Sequence, residues 1–342
     1  MSKEVGVNGS TKATVALLGP GSWGTALALQ LCRNGHRVRL WGHEAAQVEA
    51  IRRDSENRQF LPGFPLPSEL IPTDSLDEAL SDATDCLVVV PSMAFESVAS
   101  ALAERLPQDM GVAWATKGLD SRSGQLLHTI ARECLGDRPL AVASGPSFAL
   151  EVARGLPTAI TVASSSESFA ERIALLLHGD RFRAYTSSDM VGVEMCGAAK
   201  NVLAIATGIA DGLGFGANTR AAIITRGLAE LIRVGTALGG RTETFMGLAG
   251  IGDLVLTCTD NQSRNRRMGL ALASGKGIEQ AKSEIGQEVE GVVTALAIHR
   301  LSERLGIEMP ISEQVYRVLY DGISPEQATK ALLERDPKPE FG

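Results

Sequence analysis

Apolar runs of strand length alternate with helix-like segments through the first half of the chain. The apolar positions of residues 22–34 have helical spacing, and Gly35 stands where a glycine commonly ends a helix. Uninterrupted apolar runs that predict strands lie at 14–18, 38–41, 86–90, 112–116, 140–143 and 159–163. Strands buried on both faces have such sequences, and helices between them favour a parallel sheet. The pattern therefore predicts an α/β fold for this half.

The pattern changes near residue 188. Beyond Asp189 the apolar positions have helical periodicity with glycine interruptions, and no strand is predicted. We therefore expect a frayed N-terminus over 1–12, an α/β domain over 13–189 and an all-α domain over 190–342. The apolar faces of the helical domain also make a homodimer an expectation.

Composition narrows the class of protein. The 342 residues are 44% hydrophobic and 21% charged, as in ordinary globular proteins, and the formal charge of −7 argues against a nucleic-acid partner. The five cysteines include no CxxC pair and the five histidines no HExxH spacing, so neither a disulfide framework nor a metal site is expected. An apolar signal core and a run of about 18 uncharged apolar residues are both missing. We expect a cytoplasmic protein that is not inserted in a membrane.

Three glycines form a GxGxxG motif between the first predicted strand and the first predicted helix. In this context Gly19 permits a tight turn, Gly21 lets the backbone approach a pyrophosphate, and Gly24 permits close packing of the helix. The start of the helix also offers free N–H groups to phosphates. The alternative is a glycine-rich turn that only packs. The motif predicts a Rossmann-like dinucleotide-binding domain.

The end of the second predicted strand bears on the choice of cofactor. NAD-specific folds place an acidic residue there, whereas this chain has His43, with Glu44 one residue later. Arg52 and Arg53 follow downstream and could bind the 2′-phosphate of NADPH, or they could be a solvated helix face. We expect NADPH to be accepted, with the preference over NADH left open.

Lys200 lies in a run of small and apolar residues that predicts a buried helix. Burial lowers the pKa of a lysine by disfavouring its charged form, and such a lysine can accept a proton from an alcohol. The alternative is a lysine whose ammonium reaches water from the helix surface. Together with a redox cofactor, a proton acceptor indicates alcohol–carbonyl redox chemistry.

Four further runs offer polar groups beside predicted strands or bends. Lys117 and the segment 144–149 each follow a predicted strand, where ligands bind in open α/β sheets. Asp253 follows a glycine-rich bend and could instead cap a helix. A basic cluster occupies 263–267, and its first residue is a serine that could cap a helix.

These runs, in their order, resemble the soluble, bacterial-type NAD(P)-dependent glycerol-3-phosphate dehydrogenase family. The resemblance extends from about residue 14 to about residue 320. The matching runs are Gly19-Pro-Gly-Ser-Trp-Gly24, Asn57-Arg-Gln-Phe-Leu-Pro62, Ala115-Thr-Lys-Gly118, Ser144-Gly-Pro-Ser147, Ala199-Lys-Asn201, Gly250-Ile-Gly-Asp-Leu254, Cys258-Thr-Asp-Asn-Gln-Ser-Arg-Asn265 and Val289-Glu-Gly291. Each run alone is modest evidence, whereas the ordered set is specific.

The resemblance implies a role for each matching residue. Lys200 would accept the proton of the C2 hydroxyl in oxidation and donate it in reduction, with Lys117 and Asp253 beside it. The implied substrate-binding residues are Lys117, Gly145, Ser147, Lys200, Asp253, Ser263, Arg264 and Asn265. The implied cofactor-binding residues are Gly19, Gly21, Ser22, Trp23, Gly24, His43, Phe60, Lys117, Ala149, Arg264 and Glu290.

The implied reaction interconverts dihydroxyacetone phosphate and sn-glycerol 3-phosphate with NADPH or NADH, and supplies glycerol 3-phosphate for phospholipid synthesis. Two other functions stay open from the residues. An oxidoreductase acting on a 3-hydroxy acid would have no use for the phosphate grip of Arg264. A non-catalytic NADP sensor would not need Lys200 and Asp253 together in the cleft.

Overall fold

The structure is a computed structural model that describes residues 12–336 and 339–340. The prediction of a frayed N-terminus over 1–12 therefore lies outside the described residues, except for Lys12. The last strand ends at Ser187 and a long helix begins at Met190. The division into units at 189/190 stays a prediction.

One eight-stranded sheet runs through the first half of the chain, in the order β3-β2-β1-β4-β5-β6-β7-β8. Its strands are Thr14–Leu18 (β1), Arg37–Trp41 (β2), Leu70–Thr73 (β3), Asp85–Val88 (β4), Val112–Trp114 (β5), Leu140–Ser144 (β6), Thr158–Ser164 (β7) and Phe182–Ser187 (β8). The helices between them are Ser22–Arg33 (α1), Ala45–Asp54 (α2), Leu76–Leu80 (α3), Ser92–Ala103 (α4), Leu127–Leu135 (α5), Ala149–Ala153 (α6) and Glu167–Leu177 (α7). The α/β architecture is confirmed, and α1 ends beside Gly35, which has a φ of +85°.

The prediction of a parallel sheet is wrong at one pair of strands. β6 and β7 run antiparallel, with Val142 opposite Ala163, whereas the other neighbouring strands run parallel. The physical reason is the five-residue helix α6 between them. At 1.5 Å per residue it spans about 7.5 Å, less than the roughly 17 Å of a five-residue strand. The chain therefore re-enters the sheet from the end at which it left.

Two strands were missed, and both lie at edges of the sheet. β3 and β8 have neighbours on one side only, and Phe182 is the one buried residue of β8. An edge strand needs no continuous apolar run, so the signal that identified the central strands was missing.

The second half of the described chain is helical. Its helices are Met190–Gly212 (α8), Ala217–Ala237 (α9), Thr242–Phe245 (α10), Asp253–Thr259 (α11), Arg264–Ala273 (α12), Ile278–Ile285 (α13), Glu290–Leu305 (α14), Pro310–Tyr320 (α15) and Pro325–Leu333 (α16). α8 is long and apolar enough to cross a membrane by length and composition, but its most apolar window is wholly buried inside the protein. It packs against α9, α11, α12 and α14 and so forms the centre of the helical half.

α8 and α12 cross with their backbones in contact. A Cβ added at Gly208 would lie 2.1 Å from the carbonyl oxygen of Arg266, and one added at Gly269 would lie 2.1 Å from that of Ile205. Only hydrogen fits at either position. The first turn of α12 is thereby held close to the helix that carries Lys200.

Candidate active site

The glycine loop after β1 has the geometry expected of a dinucleotide site. Gly19 has a φ of +115°, and a Cβ there would lie 2.4 Å from the carbonyl oxygen of Val89. A Cβ at Gly24 would lie 1.9 Å from the carbonyl oxygen of Gly19, whereas one at Gly21 meets nothing within 4 Å. Gly19 and Gly24 are thus required by the protein itself. The open space above Gly21 leaves room for a ligand.

The start of α1 fits an anionic group. Gly21 precedes the helix without a side-chain cap, so the first N–H groups remain available to a phosphate. Ser22 donates a hydrogen bond to the carbonyl oxygen of Phe60 at 2.6 Å, which brings these two predicted cofactor residues together. The buried Nε1 of Trp23 finds no partner among the described residues. A dinucleotide cofactor therefore fits the side chains present.

The side chains after β2 that were predicted to bind the cofactor are exposed or already bonded within the protein. The His43 side chain is 75% exposed, 3.6 Å from Glu44. Arg52 donates to the carbonyl oxygen of Pro72 at 3.0 Å, so it is engaged within the protein. Arg53 is 68% exposed and pairs with Asp54 at 2.9 Å. A 2′-phosphate contact by either arginine stays a prediction.

Asp253 joins the two candidate catalytic lysines. Its Oδ1 lies 2.6 Å from Nζ of Lys200, and its Oδ2 lies 2.8 Å from Nζ of Lys117. Asp253 is the first residue of α11, directly after a kinked turn at Leu248–Gly252, and its side chain is buried. The side chain binds lysines and does not cap the helix. The three residues are far apart in the sequence, and the structure brings them into direct contact.

Burial controls the charge of this cluster. It lowers the pKa of Lys200 to about 7, because desolvation of the ammonium outweighs the attraction of Asp253, and the charge of Lys117 adds to the decrease. Burial alone would raise the pKa of Asp253, but the charges and hydrogen bonds of Lys117 and Lys200 outweigh it and hold that pKa below its usual value. The cluster is thus an ionised carboxylate beside a lysine that can lose its proton near neutral pH.

Gly145 and Ser147 border the same cluster at the carboxyl end of β6. The carbonyl oxygen of Gly145 accepts from Nζ of Lys117 at 3.0 Å and from Oγ of Ser147 at 2.8 Å. Gly145 has a φ of +150°, and a Cβ there would lie 2.8 Å from Cα of Ile160. Ala149, a predicted cofactor residue, begins the short helix that follows. The ammonium of Lys117 is therefore held by the Gly145 carbonyl as well as by Asp253.

Ser263 caps α12 as predicted, by accepting the N–H of Arg266 at 3.2 Å. Arg264 donates to Gln287 Oε1 at 3.3 Å, and no carboxylate oxygen in the described ranges lies within 4 Å of its guanidinium. Burial lowers the pKa of Arg264. A desolvated guanidinium without a carboxylate partner suits an anionic ligand.

Asn265 is held in place by its neighbours. Its Nδ2 donates to Oδ1 of Asn201 at 2.8 Å, and its Oδ1 accepts the N–H of Gly291 at 2.8 Å. Asn201 is adjacent to Lys200 on α8, so Asn265 is anchored to the helix that carries the predicted proton-transfer residue. Arg266, which received no role, pairs with Asp211 and is structural.

Glu290 joins the start of α14 to the start of α4. Its Oε1 accepts the N–H of Ser92 at 3.1 Å and its Oε2 accepts the Ser92 hydroxyl at 2.7 Å. Burial raises the pKa of this carboxyl. Both oxygens therefore face the start of α4, and the contact of Glu290 with a cofactor stays a prediction.

Two functional positions were missed. Thr257 accepts a hydrogen bond from Lys200 at 3.0 Å, and its spacing of four from Asp253 on one helix could have indicated it. Gln287 accepts from Ser22 at 3.2 Å and from Arg264, which links the cofactor loop to α12. Nothing in the local sequence around Gln287 signals that bridge. Among the described residues, no group of three or more His, Cys, Asp or Glu side chains could hold a metal ion.

Comparison with known proteins gives one consistent result. Residues 14–170 match the model of the NAD-dependent glycerol-3-phosphate dehydrogenase N-terminus, and residues 189–330 match that of its C-terminus. The glycerol-3-phosphate dehydrogenase (NAD(P)+) of Methylococcus capsulatus is 56% identical over 329 residues, 96% of this chain and 98% of that protein. The corresponding protein of Thioalkalivibrio sulfidiphilus is 57% identical, with the same coverage of each chain.

A solved structure agrees with the sequences. The crystal structure of glycerol-3-phosphate dehydrogenase from Coxiella burnetii superposes with a TM-score of 0.93 at 49% identity, covering 95% of this chain and 99% of that one. The family models, the full-length relatives and the solved structure together show that this chain belongs to the NAD-dependent glycerol-3-phosphate dehydrogenase family.

Proposed function

We propose that this protein is an NAD(P)-dependent dehydrogenase that interconverts dihydroxyacetone phosphate and sn-glycerol 3-phosphate. The observation that carries the proposal is the single carboxylate of Asp253 between Lys117 and Lys200, at 2.8 and 2.6 Å. Alcohol–carbonyl redox chemistry needs a group that releases and recovers a proton near neutral pH. The lowered pKa of Lys200 supports that role.

Each residue of the cluster has a separate part in the reaction. In the reducing direction Lys200 gives its proton to the C2 oxygen as the carbonyl becomes a hydroxyl, and in oxidation it takes that proton back. Lys117 adds positive charge where the oxygen becomes negative. Asp253 holds both ammonium groups in position and offsets part of their mutual repulsion. A bound nicotinamide cofactor supplies or receives the hydride.

The phosphate of the substrate belongs at the start of α12. Arg264 can bind two of its oxygens, and Ser263 and Asn265 flank it at the helix terminus. This site is remote from the reacting carbon, so binding energy there orients C2 without changing the chemistry of the carbonyl. A desolvated guanidinium without a carboxylate partner favours a phosphorylated substrate over a 3-hydroxy acid.

The biological setting follows from the reaction class. We propose that the protein works in the cytoplasm, in the direction of glycerol 3-phosphate for phospholipid synthesis, and that it forms a homodimer. The dimer is testable by analytical ultracentrifugation, in which a single species at the monomer mass of 36.1 kDa would reject it.

The direct test is oxidation of NADPH, and separately of NADH, by the purified protein with dihydroxyacetone phosphate. Rapid turnover that requires the phosphorylated ketone would support the proposal. Reduction of a 3-oxo acid to the 3-hydroxy acid in its place would favour the other oxidoreductase. A folded protein that binds NADPH and turns over neither substrate would favour the sensor.

A further inference from the structure

A second buried carboxylate lies on the helix that carries Lys200. Both oxygens of Glu194 are engaged, although its side chain is only 2% exposed. Oε1 accepts Nε1 of Trp114 at 3.1 Å and the N–H of His128 at 3.0 Å, and Oε2 lies 2.5 Å from Nδ1 of His128. Glu194 therefore links α8 to β5 and to the first turn of α5.

Packing alone does not require a carboxylate here. Removing a charge from water has a cost that an apolar side chain avoids, and burial raises the pKa of Glu194. The residues around it on α8 are small or apolar. The hydrogen bonds of Glu194 go to Trp114 and His128 and not to Lys117, Lys200 or Asp253, so it is not part of the proton-transfer cluster. Its hydrogen bonds must serve the placement of the segments that they join.

Those segments are the ones that carry the two lysines. Trp114 ends β5, three residues before Lys117, and Glu194 precedes Lys200 on α8 by less than two turns, about 9 Å. The segment at the end of β5 and helix α8 are therefore joined at two places. At one, the Trp114 indole donates to Glu194, and at the other, the ammonium groups of Lys117 and Lys200 both bind Asp253.

Helix α8 is tightly packed between Glu194 and Lys200. A Cβ added at Gly197, which lies between Glu194 and Lys200, would be 3.0 Å from Oγ of Ser144 and 3.6 Å from Cγ of Lys117. The backbone of α8 thus lies against the stem of Lys117. A small rotation of α8 on β5 would change the distance between the two lysines.

We propose that Glu194 is a positioning residue whose bond to Trp114 fixes α8 on β5, so that Lys117 and Lys200 can share Asp253. The inference rests on the proposed function, since its readout is turnover of dihydroxyacetone phosphate. Glu194 acts through the two lysines, and within the described part of the chain its hydrogen bonds go to Trp114 and His128, not to the cofactor loop at Gly19–Gly24. Loss of the bond should therefore reduce turnover without weakening cofactor binding.

The test compares Glu194→Met and Glu194→Gln with the wild type. Methionine keeps the length and removes both acceptors, whereas glutamine retains an acceptor for Trp114 and for the N–H of His128. We measure kcat and KM for dihydroxyacetone phosphate at saturating NADPH, the Kd of NADPH by fluorescence, and folding by circular dichroism. We expect kcat to fall at least tenfold in Glu194→Met with the Kd within about twofold, and Glu194→Gln to stay within about threefold of the wild type.

Other results would overturn the proposal. A purely structural residue would lower the melting temperature of Glu194→Met and leave kcat unchanged, and an equal loss in Glu194→Gln would assign the effect to charge. If Glu194→Met does not fold, Trp114→Phe removes the indole donor alone, and unchanged kcat in that variant rejects the inference. Absence of turnover in the wild type would reject the proposed function instead, so the two failures are distinguishable.

Discussion

The ammonium groups of Lys117 and Lys200 are bonded to opposite oxygens of one carboxylate, at 2.8 and 2.6 Å. Lys117 lies three residues after the end of β5, Lys200 lies in the middle of α8, and Asp253 is the first residue of α11. The pair therefore depends on three segments that are distant in sequence.

Replacing Lys200 with alanine should remove proton transfer and leave cofactor binding intact. We expect kcat to fall by about 100-fold to 10,000-fold, the usual contribution of a positioned acid or base, while the Kd of NADPH is unchanged. Steady-state kinetics with dihydroxyacetone phosphate and fluorescence titration measure the two quantities. Lys200→Arg is the control, because arginine keeps the charge and does not release its proton. Wild-type kcat in either variant would exclude Lys200 as the proton donor.

The pH dependence of the reaction should follow the pKa of Lys200. Oxidation of glycerol 3-phosphate needs the neutral amine, so its rate should rise as the pH increases through about 7. Reduction needs the ammonium and should slow above the same pH. Asp253→Asn removes the charge that raises the pKa of Lys200, so the acidic limb of the oxidation profile should move to lower pH. A limb that does not move would show that another group titrates there.

Gly21 and Gly24 form a matched pair for the cofactor loop. A Cβ at Gly24 meets the carbonyl oxygen of Gly19 at 1.9 Å, so Gly24→Ala should destabilise the fold by about 1–3 kcal/mol. Gly21→Ala meets no protein atom within 4 Å and should leave stability unchanged, but raise the Kd of NADPH by roughly tenfold or more, ~1.4 kcal/mol. Thermal melts and fluorescence titrations measure the two effects. Tight NADPH binding by Gly21→Ala would indicate that the pyrophosphate lies elsewhere.

Arg264→Ala should weaken binding of the substrate phosphate. We expect kcat/KM for dihydroxyacetone phosphate to fall about 30-fold to 3,000-fold, equivalent to ~2–5 kcal/mol. Unphosphorylated dihydroxyacetone is the control substrate, because its slow turnover should be the same with and without Arg264. An equal loss for both substrates would place Arg264 at the reacting carbon or the cofactor, away from the phosphate.

The preference between cofactors can be tested at two exposed arginines that pair with the same carboxylate. Arg53 and Arg58 both contact Asp54, at 2.9 and 3.5 Å. If Arg53 binds the 2′-phosphate, Arg53→Ala should raise the KM for NADPH and leave the KM for NADH unchanged. Arg58→Ala should affect neither. Equal behaviour of the two variants would assign Arg53 to the solvated face of α2.

Much of the site could be predicted from the sequence because its residues stand in recognisable local contexts. Gly19, Gly21 and Gly24 follow an apolar strand, and Lys200 lies in a run of small residues. Contacts made only by tertiary packing could not be predicted in this way. Gln287 bridges Ser22 and Arg264 from a segment without a local signature.

The sheet topology, like the site, could be predicted only in part from local sequence. The central strands could be predicted from their apolar runs, whereas the direction of β7 depends on α6 being shorter than the strands that it joins. The edge strands β3 and β8 lack the continuous apolar signal. Local patterns thus identify elements, and the relative lengths of neighbouring elements decide how they connect.

The contact of α8 with α12 through Gly208 and Gly269 fixes the distance between these two helices. Since only hydrogen fits at either crossing point, the separation between Arg264 and Lys200 is set by two backbones and cannot be adjusted by exchanging side chains. A ketone with one more methylene between phosphate and carbonyl would present the wrong atom to the ammonium. We therefore expect the spacing of these two helices to select the length of the substrate, at a distance from the atoms that react.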